Sequence, residues 1–230
     1  MKVDPPKTII ILGGTAEAVA LAKTHNSQQQ NRVIYSLAGL TKNPTIFDGE
    51  TRVGGFGGVA GMTAYIANEQ VDEVVDATHP FAVRISSNAK EACKLAEIPI
   101  KHIVRPPWKP APEDDWHSVE SLKAAAQILP KDANAFLALG SQHLEEFFAR
   151  KDVFFSVRMI ELPKQSMSFE HLSLIISRPL TSIQAEKKLF EDRQISHLVC
   201  RNSGGKQGLV KLAAARELGI KVIMIERPVI

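Results

Sequence analysis

The segment DATHPF (76–81) places an acid, a hydroxyl, an imidazole and a proline where an apolar run ends and a helical pattern begins. A histidine with an ordinary pKa of about 6.5 can deliver a proton at neutral pH, so His79 is a candidate general acid. The segment also has a structural explanation, because Pro80 favours the start of a helix and Thr78 can cap one. We expect Thr78, His79 and Pro80 to position a ligand, with acid catalysis by His79 as the alternative.

A glycine turn follows the first apolar run, in ILGGTAEA (11–18). Glycines let the backbone approach a phosphate closely, and the N–H groups and dipole of the following helix attract its negative charge. The spacing is not that of the usual dinucleotide fingerprint, and a plain strand-to-helix turn is the alternative. The residues expected to bind a cofactor here are Gly13, Gly14, Thr15 and Glu17.

The second predicted strand ends in YSLAGLTK (35–42), which contains no acid. NAD-binding folds generally have an acid there to hold the ribose 2'-hydroxyl, whereas NADP needs hydroxyl or basic groups for its 2'-phosphate. If a dinucleotide binds, NADPH is therefore favoured, unless Ser36 and Lys42 are only solvated loop residues. The expected contacts are Ser36, Ala38, Gly39, Thr41 and Lys42.

A third loop, VGGFGG (53–58), surrounds one phenylalanine with four glycines. Such a backbone can lie directly against a ligand, or the glycines can serve only to allow positive φ angles. We favour ligand binding, with Gly55, Phe56 and Gly57 as the contacts and the Phe56 ring beside a nicotinamide or a macrocycle.

The second half of the chain has polar loops of the same kind. CRNSGGKQG (200–208) combines backbone amides with side chains suited to carboxylates or a phosphate, although a glycine turn with exposed polar groups is the alternative. The candidate anion-binding residues are Gly140, Ser141, Gln142, Arg178, Asn202, Ser203, Gly204, Gly205 and Lys206.

These loops are separated by alternating strand-like and helical patterns, which are typical of parallel α/β architecture. The predicted strands are 7–12, 32–38, 51–55, 73–77, 100–105, 134–140, 152–160, 172–177, 196–202 and 221–226. The predicted helices are 15–25, 59–69, 83–97, 118–129, 141–149, 180–193 and 207–218, the last of them ending at Gly219. We expect two Rossmann-like, doubly wound parallel-sheet domains, with ligands in an inter-domain cleft.

The proline-rich segment RPPWKPAPEDDW (105–116) predicts the crossing between the domains. The helix 118–129, with Ser118 as its N-cap, is expected to pack on the first domain. The predicted domains are therefore 1–130 and 131–230.

Composition excludes several classes of function. The 230 residues are 44% hydrophobic and 23% charged, as in ordinary folded proteins, and a net charge of +3 is too small to indicate a nucleic-acid partner. The start of the chain resembles neither a signal peptide nor a membrane span, so we expect a cytoplasmic protein. The two cysteines and the scattered histidines show no metal spacing, so no metal is expected. Binding loops without an obvious nucleophile favour a cofactor that brings its own chemistry.

Together these segments resemble the precorrin-6A reductase family of cobalamin biosynthesis, whose members act on the precorrin-6A macrocycle or its cobalt form. The resemblance covers ILGGTAEA (11–18), SLAG (36–39), RVGGFGG (52–58), VVDATHPFA (74–82), ISSNA (85–89), RPPW (105–108), RNSGG (201–205) and IERP (225–228). A basic residue often follows SLAG in the family, and a lysine often precedes NSGG. Here Leu40 and Arg201 stand in those places, so Thr41 or Lys42 would contact the 2'-phosphate, and Arg201 would offer a planar fork in place of an ammonium group.

The resemblance implies an NADPH-dependent reduction of one macrocycle double bond, by hydride transfer to a ring carbon and proton addition at its neighbour. The first domain would hold NADPH, and the cleft and second domain would hold a polycarboxylate ring, with Arg105, Trp108, Arg178, Arg201 and Lys206 among its contacts. A monomer would suffice. The alternatives are a non-catalytic nucleotide- or anion-binding module and an oxidoreductase of an unrelated small substrate, which would leave RPPW and RNSGG without a purpose.

Overall fold

The computed structural model describes residues 5–27, 31–39, 48–141, 144–162 and 167–228. The chain forms two compact units, the first running to Val104 and the second beginning at Arg105. None of the helices in these ranges is both long and apolar enough to cross a membrane.

The first unit is a five-stranded parallel sheet covered by helices. Its strands are β1 (Thr8–Leu12), β2 (Arg32–Leu37), β3 (Glu50–Val53), β4 (Glu73–Asp76) and β5 (Ile100–His102), in the spatial order β3-β2-β1-β4-β5. Its helices are α1 (Ala16–Ser27), α2 (Gly58–Asn68) and α3 (Val83–Leu95). Ile9 and Ile11 pack in one core with α1, whereas Ile10 and Leu12 pack in the other with α2 and α3. Because both faces of β1 are buried, its sequence is continuously apolar.

The second unit is a six-stranded parallel sheet with helices of its own. The strands are β6 (Trp116–Val119), β7 (Asn134–Ala138), β8 (Phe154–Met159), β9 (Leu172–Ile176), β10 (His197–Arg201) and β11 (Lys221–Ile225), in the order β6-β11-β10-β7-β8-β9. The helices are α4 (Leu122–Ile128), α5 (Ile183–Asp192) and α6 (Leu209–Glu217), with a 3-10 turn at Glu145–Phe147. Phe136 and Phe190 meet edge to face at 5.1 Å in the main core of this unit.

The predicted fold class is confirmed, but the crossing between the units differs from the prediction. The predicted helix 118–129 with Ser118 as N-cap is wrong, because Ser118 belongs to β6, which pairs with β11. The helix begins only at Leu122, and the Ser121 side chain caps it by accepting a hydrogen bond from Ala124 N at 3.1 Å. Since β6 and α4 belong to the second unit, the division falls between residues 104 and 105 rather than 130 and 131.

Of two further predictions about helices, the first is wrong and the second is confirmed. Of the predicted helix 141–149, the described residues retain only the short 3-10 turn. The stop at Gly219 is confirmed, since this glycine has φ +64° and Ile220 N donates back to Ala215 O at 2.9 Å.

Candidate functional site

The first unit has a topological switch point between β1 and β4, its two central strands. The chain leaves β1 toward β2 and leaves β4 toward β5 on the opposite side, so the loops after these strands flank a crevice at the carboxyl edge. The Thr15 hydroxyl joins the two loops by donating to Ala77 O at 2.9 Å, and it accepts a hydrogen bond from Ala18 N at 3.1 Å. The structure therefore brings together the predicted GGT and DATHPF turns.

Tyr35, which the sequence analysis missed, fixes the first glycine turn. Its buried phenol oxygen accepts a hydrogen bond from Gly14 N at 3.2 Å, and a Cβ atom at Gly13 would overlap its ring. Burial raises the pKa of the Tyr35 phenol, although the Gly14 N–H opposes this shift. Gly13 is thus required by a packed aromatic ring, and Gly14, at φ +106°, lies exposed at the mouth of the crevice.

The end of β2 lies beside the first turn. Gly13 N donates to Ser36 O at 2.9 Å, and Ser36 is buried within the strand, so the alternative that it is a solvated loop residue is wrong. Ala38 and Gly39 are exposed beyond it, and none of the described residues at this strand end is an acid. Thr41 and Lys42 lie outside the described residues.

Arg52, which was not predicted as a site residue, shapes the loop after β3. Its guanidinium donates to Gly54 O and, at 2.8 Å, to Gly55 O. The same group lies 3.8 Å from the centroid of the Phe56 ring, which in turn meets Tyr65 edge to face at 5.3 Å. The loop is therefore held from the inside by a cation stacked on an aromatic ring.

The four glycines of this loop do not all have the same explanation, because some are needed for positive φ angles and one is explained by ligand contact. Gly54, Gly57 and Gly58 have positive φ, so backbone conformation accounts for them. Gly55 does not, and a Cβ atom there would meet nothing within 4 Å. Gly55 is therefore the one glycine of this loop that the close approach of a ligand explains and backbone conformation does not.

Asp76 organises the turn after β4. Its buried carboxylate accepts hydrogen bonds from Thr78 N at 3.1 Å and from the Thr78 hydroxyl at 2.7 Å, and its other oxygen lies 3.3 Å from His102 Nδ1. Thr78 therefore does not cap the next helix, and that prediction is wrong. Helix α3 begins at Val83, with Pro80 in the turn before it rather than in its first position.

His79 is partly buried, and its orientation is set by its own turn. Its Nδ1 accepts a hydrogen bond from Phe81 N at 3.2 Å, while its carbonyl accepts one from Ala82 N at 2.7 Å. In the neutral ring this places the proton on Nε2, and protonation of Nδ1 would break the bond to Phe81. This geometry suits a fixed donor of a hydrogen bond better than a group that gains and loses a proton.

In the second unit, three segments quoted for the family resemblance fasten to one another. Asn202 accepts a hydrogen bond from Trp108 N at 2.8 Å and donates to Trp108 O at 3.2 Å. Trp108 Nε1 donates to Gly205 O at 3.0 Å, and Arg227 donates to Asn202 O at 2.8 Å and to Arg105 O at 2.6 Å. We call this group of RPPW, RNSGG and IERP contacts the three-segment junction.

In the three-segment junction, two predicted substrate contacts have a structural role. Trp108 and Asn202 are both buried, and their polar groups are engaged with each other, with Gly205 and with Glu226. A side chain at Gly204 would overlap Pro106 O. RPPW and RNSGG therefore have a structural purpose, and the argument that an unrelated substrate would leave them without one is wrong.

The remaining predicted contacts lie at the carboxyl edge of the second sheet. Arg178 and Lys206 are exposed, Arg105 and Arg201 are partly buried, and burial lowers the pKa of the Arg201 guanidinium. Gly140 has φ +77° and Ser141 is exposed, while Gln142 lies outside the described residues.

A pocket of about 190 Å³ also opens at this edge, and sequence reasoning missed its charged residues. It is lined by Gly140 and by three charged side chains, Arg158, Glu186 and Lys211. A signal was available, because Arg158 interrupts the apolar strand FFSVRM and a buried charge needs a partner.

A sheet in the order 3-2-1-4-5 with glycine turns beside its central strands defines the Rossmann class of nucleotide-binding α/β proteins, here followed by a second parallel-sheet unit. The profile of the family described as Precorrin-6x reductase CbiJ/CobK matches residues 8–230. The chain belongs to this family of oxidoreductases, as its sequence motifs indicated.

Individual relatives agree with this assignment over almost their whole length. A precorrin-6A reductase of Rhodobacter capsulatus is 39% identical over 223 residues, covering 96% of this chain and 88% of the relative. A cobalt-precorrin-6A reductase of Synechocystis sp. is 26% identical over 238 residues, covering 98% and 90%. The solved structure of a CobK precorrin-6A reductase has a TM-score of 0.92 at 39% identity and covers 97% of this chain and 89% of that one.

Proposed function

We propose that the protein is an NADPH-dependent reductase of one C=C bond in the precorrin-6A macrocycle, giving the dihydro product in cobalamin biosynthesis. The observation that carries the proposal is the family match over residues 8–230. It is supported by 39% identity to a named precorrin-6A reductase over 96% of the chain.

The first unit fits a dinucleotide at the crevice between β1 and β4. The first turn of α1 offers backbone N–H groups and a positive helix end to a diphosphate, and Gly14, exposed and without a side chain, lets the diphosphate approach closely. Gly55 leaves open space on the loop after β3, at the same edge of the sheet but two strands from β1, where a side chain would interfere with a ligand. The described end of β2 carries no acid to hold a 2'-hydroxyl, which favours NADPH over NADH.

The side chains around this crevice act by positioning. NADPH, when bound, supplies the hydride that the reaction needs. Thr15 and Asp76 hold the two turns that flank the crevice, and the Phe81 N–H fixes the orientation of the His79 ring. Holding two reactants in register can supply up to about 7 to 11 kcal/mol of the barrier reduction, so no strong acid or base is required.

The second unit would hold the polycarboxylate ring through the cations at its carboxyl edge, Arg105, Arg178, Arg201 and Lys206. We propose the cobalt-free ring as the substrate. The relative named precorrin-6A reductase is 39% identical, whereas the relative named for the cobalt form is 26% identical.

Incubation of the purified protein with precorrin-6A and either NADPH or NADH tests the proposal. We expect NADPH oxidation in equal amount to the macrocycle consumed, and much slower oxidation of NADH. A non-catalytic nucleotide-binding module would bind NADPH, for example by quenching of its fluorescence, and oxidise none of it. Faster reaction with NADH would contradict the interpretation of the β2 end.

A further inference from the structure

The pocket of the second unit lies at the switch point of its sheet. β7 and β10 are neighbours, and the chain leaves them in opposite directions, toward β8 and β11 respectively. The pocket is lined by Ala138 and Gly140 at the end of β7 and by Gln207 and Gly208 in the loop after β10. Ligands of doubly wound sheets bind at this kind of position.

Its inner end carries a buried ion pair that is incompletely satisfied. Arg158 Nη2 lies 2.9 Å from Glu186 Oε2, and the two residues are only 6% and 0% exposed. Arg158 Nε and Glu186 Oε1 are buried without a hydrogen-bond partner among the described residues. Buried polar atoms usually have partners, so Arg158 Nε offers a hydrogen bond to an acceptor such as a ligand carboxylate, whereas Glu186 Oε1 needs a donor such as a water.

Lys211 gives the pocket an excess positive charge. Its Nζ lies 4.8 Å from the Trp108 ring centroid and 3.4 Å from Gly208 O, and no ion pair among the described residues includes it. Burial lowers the pKa of its ammonium group. Because Arg158 and Glu186 neutralise each other, the Lys211 charge is unmatched, and the N-terminal end of α6 beside it adds positive potential.

The rest of the pocket is small and mostly apolar, with Ser177 and Gln207 as its uncharged polar side chains. Met159, Pro179 and Leu180 line it, and Ile160, 41% exposed, marks its opening. A cavity of about 150 Å³ accommodates a benzene-sized molecule, so a volume of about 190 Å³ takes a short side arm and not a macrocycle. An apolar wall with one unmatched cation at the inner end suits a carboxylate on a short hydrocarbon stem.

We propose that this pocket is a subsite for one carboxylate-bearing arm of the substrate, with Lys211 pairing the carboxylate and the apolar wall covering its methylene groups. The proposal rests on the proposed function, since it takes the ligand to be a tetrapyrrole polycarboxylate. It adds Lys211 and Arg158 to the predicted substrate contacts.

Two variants test the subsite by steady-state kinetics. Lys211→Met removes the charge at nearly constant length, and Ile160→Trp narrows the opening without changing a charge. We expect each to raise the KM for precorrin-6A about tenfold while kcat and the Kd for NADPH change less than about twofold. Lys188→Met is the matched control, because Lys188 is exposed on α5 and pairs with Asp192 of the same helix, so the KM of this variant should equal that of the wild type.

Unchanged KM values in Lys211→Met and Ile160→Trp, with the wild type active, would overturn the subsite and leave the proposed function standing. If the wild type does not oxidise NADPH with precorrin-6A, the proposed function fails and propionate becomes the probe. In a Trp116→Phe background, Trp108 is the only tryptophan and contacts Lys211. A saturable change of its fluorescence with propionate that Lys211→Met abolishes would support a carboxylate subsite, and no change in the parent would overturn it.

Discussion

The Asp76 carboxylate determines the shape of the turn that carries His79. One of its oxygens accepts two hydrogen bonds from Thr78 in the turn, and the other lies 3.3 Å from His102 Nδ1 on β5, so both oxygens contact protein groups. The His79 ring is then oriented by the Phe81 N–H. We therefore expect the turn to position a ligand as a rigid surface.

Replacement of His79 distinguishes positioning from acid catalysis. His79→Ala should weaken binding of NADPH or precorrin-6A about tenfold, with kcat changed by less than about threefold. His79→Asn is the matched variant, because its side-chain oxygen can accept the Phe81 N–H and should restore the part of the affinity that depends on the shape of the turn. Binding titrations and saturation kinetics check both, and a collapse of kcat with normal binding in both variants would make His79 the acid.

Two glycine substitutions separate packing from ligand approach. Gly13→Ala should destabilise the fold by about 1 to 3 kcal/mol, because the new methyl group overlaps the Tyr35 ring. Gly55→Ala should change stability by less than about 0.5 kcal/mol, since its Cβ meets nothing, yet weaken NADPH binding. Urea denaturation and NADPH titration measure the two effects, and unchanged NADPH affinity in Gly55→Ala would remove this loop from the site.

Among the structural elements, the three-segment junction is the feature whose role the sequence least revealed. It joins the segment that opens the second unit to the loop after β10 and to the segment after β11. Asn202→Ala should therefore cost roughly 2 to 4 kcal/mol of unfolding free energy, since it leaves both backbone groups of Trp108 without partners. Ser203→Ala is the neighbouring control, and equal stability of the two variants in urea would contradict this role.

The ion pair between Asp114 and Arg216 ties the proline-rich segment to α6 and makes stability depend on pH. Burial alone would raise the pKa of Asp114, but hydrogen bonds from Arg216 and Ala111 N bring it below its ordinary value. A folded-state pKa below the unfolded one gives stability that is present above about pH 3.9 and is lost as the pH falls through the folded value.

Asp114→Asn tests this dependence by thermal unfolding at a series of pH values. The variant should be less stable than the wild type at pH 7 and lose less stability between pH 5 and the acid limit. Parallel curves for the two proteins would show that Asp114 does not contribute.

Elements with a local signal were predictable, and those stabilised at a distance were not. The apolar runs of β1, β4 and β10 are visible because both faces of each strand are buried. β6 has only four residues at a sheet edge and forms by pairing with β11, about a hundred positions away, so the helical spacing around Val119 and Leu122 dominated the pattern. The prediction that Thr78 caps the next helix was wrong because the Thr78 hydroxyl donates its hydrogen bond to Asp76 instead.

Residues of the candidate site were likewise predictable only where the sequence carried a local signal. The glycine turns at the ends of β1 and β3 could be recognised because glycine is itself the signal. Tyr35 and Lys211 act through partners distant in sequence, so the spacing of residues does not reveal them. Arg52 contacts Gly55 and Phe56 nearby in the chain, but only the folded loop brings its guanidinium onto them.

For the whole molecule, a net charge of +3 is too small to attract a polyanionic substrate by itself. We therefore expect recognition of the proposed substrate to come from the cations at one sheet edge of the second unit. In the proposed function the first unit holds NADPH and the second unit holds the ring.

The central claim is that the protein transfers a hydride from NADPH to precorrin-6A, and isotope transfer measures it most directly. The wild type is incubated with precorrin-6A and NADPH carrying deuterium at the transferable position of the nicotinamide, and the product is analysed by mass spectrometry. The account predicts a dihydro product that contains one deuterium from the cofactor and one hydrogen from solvent. A product without cofactor deuterium, or macrocycle recovered unchanged while NADPH remains bound, would contradict it.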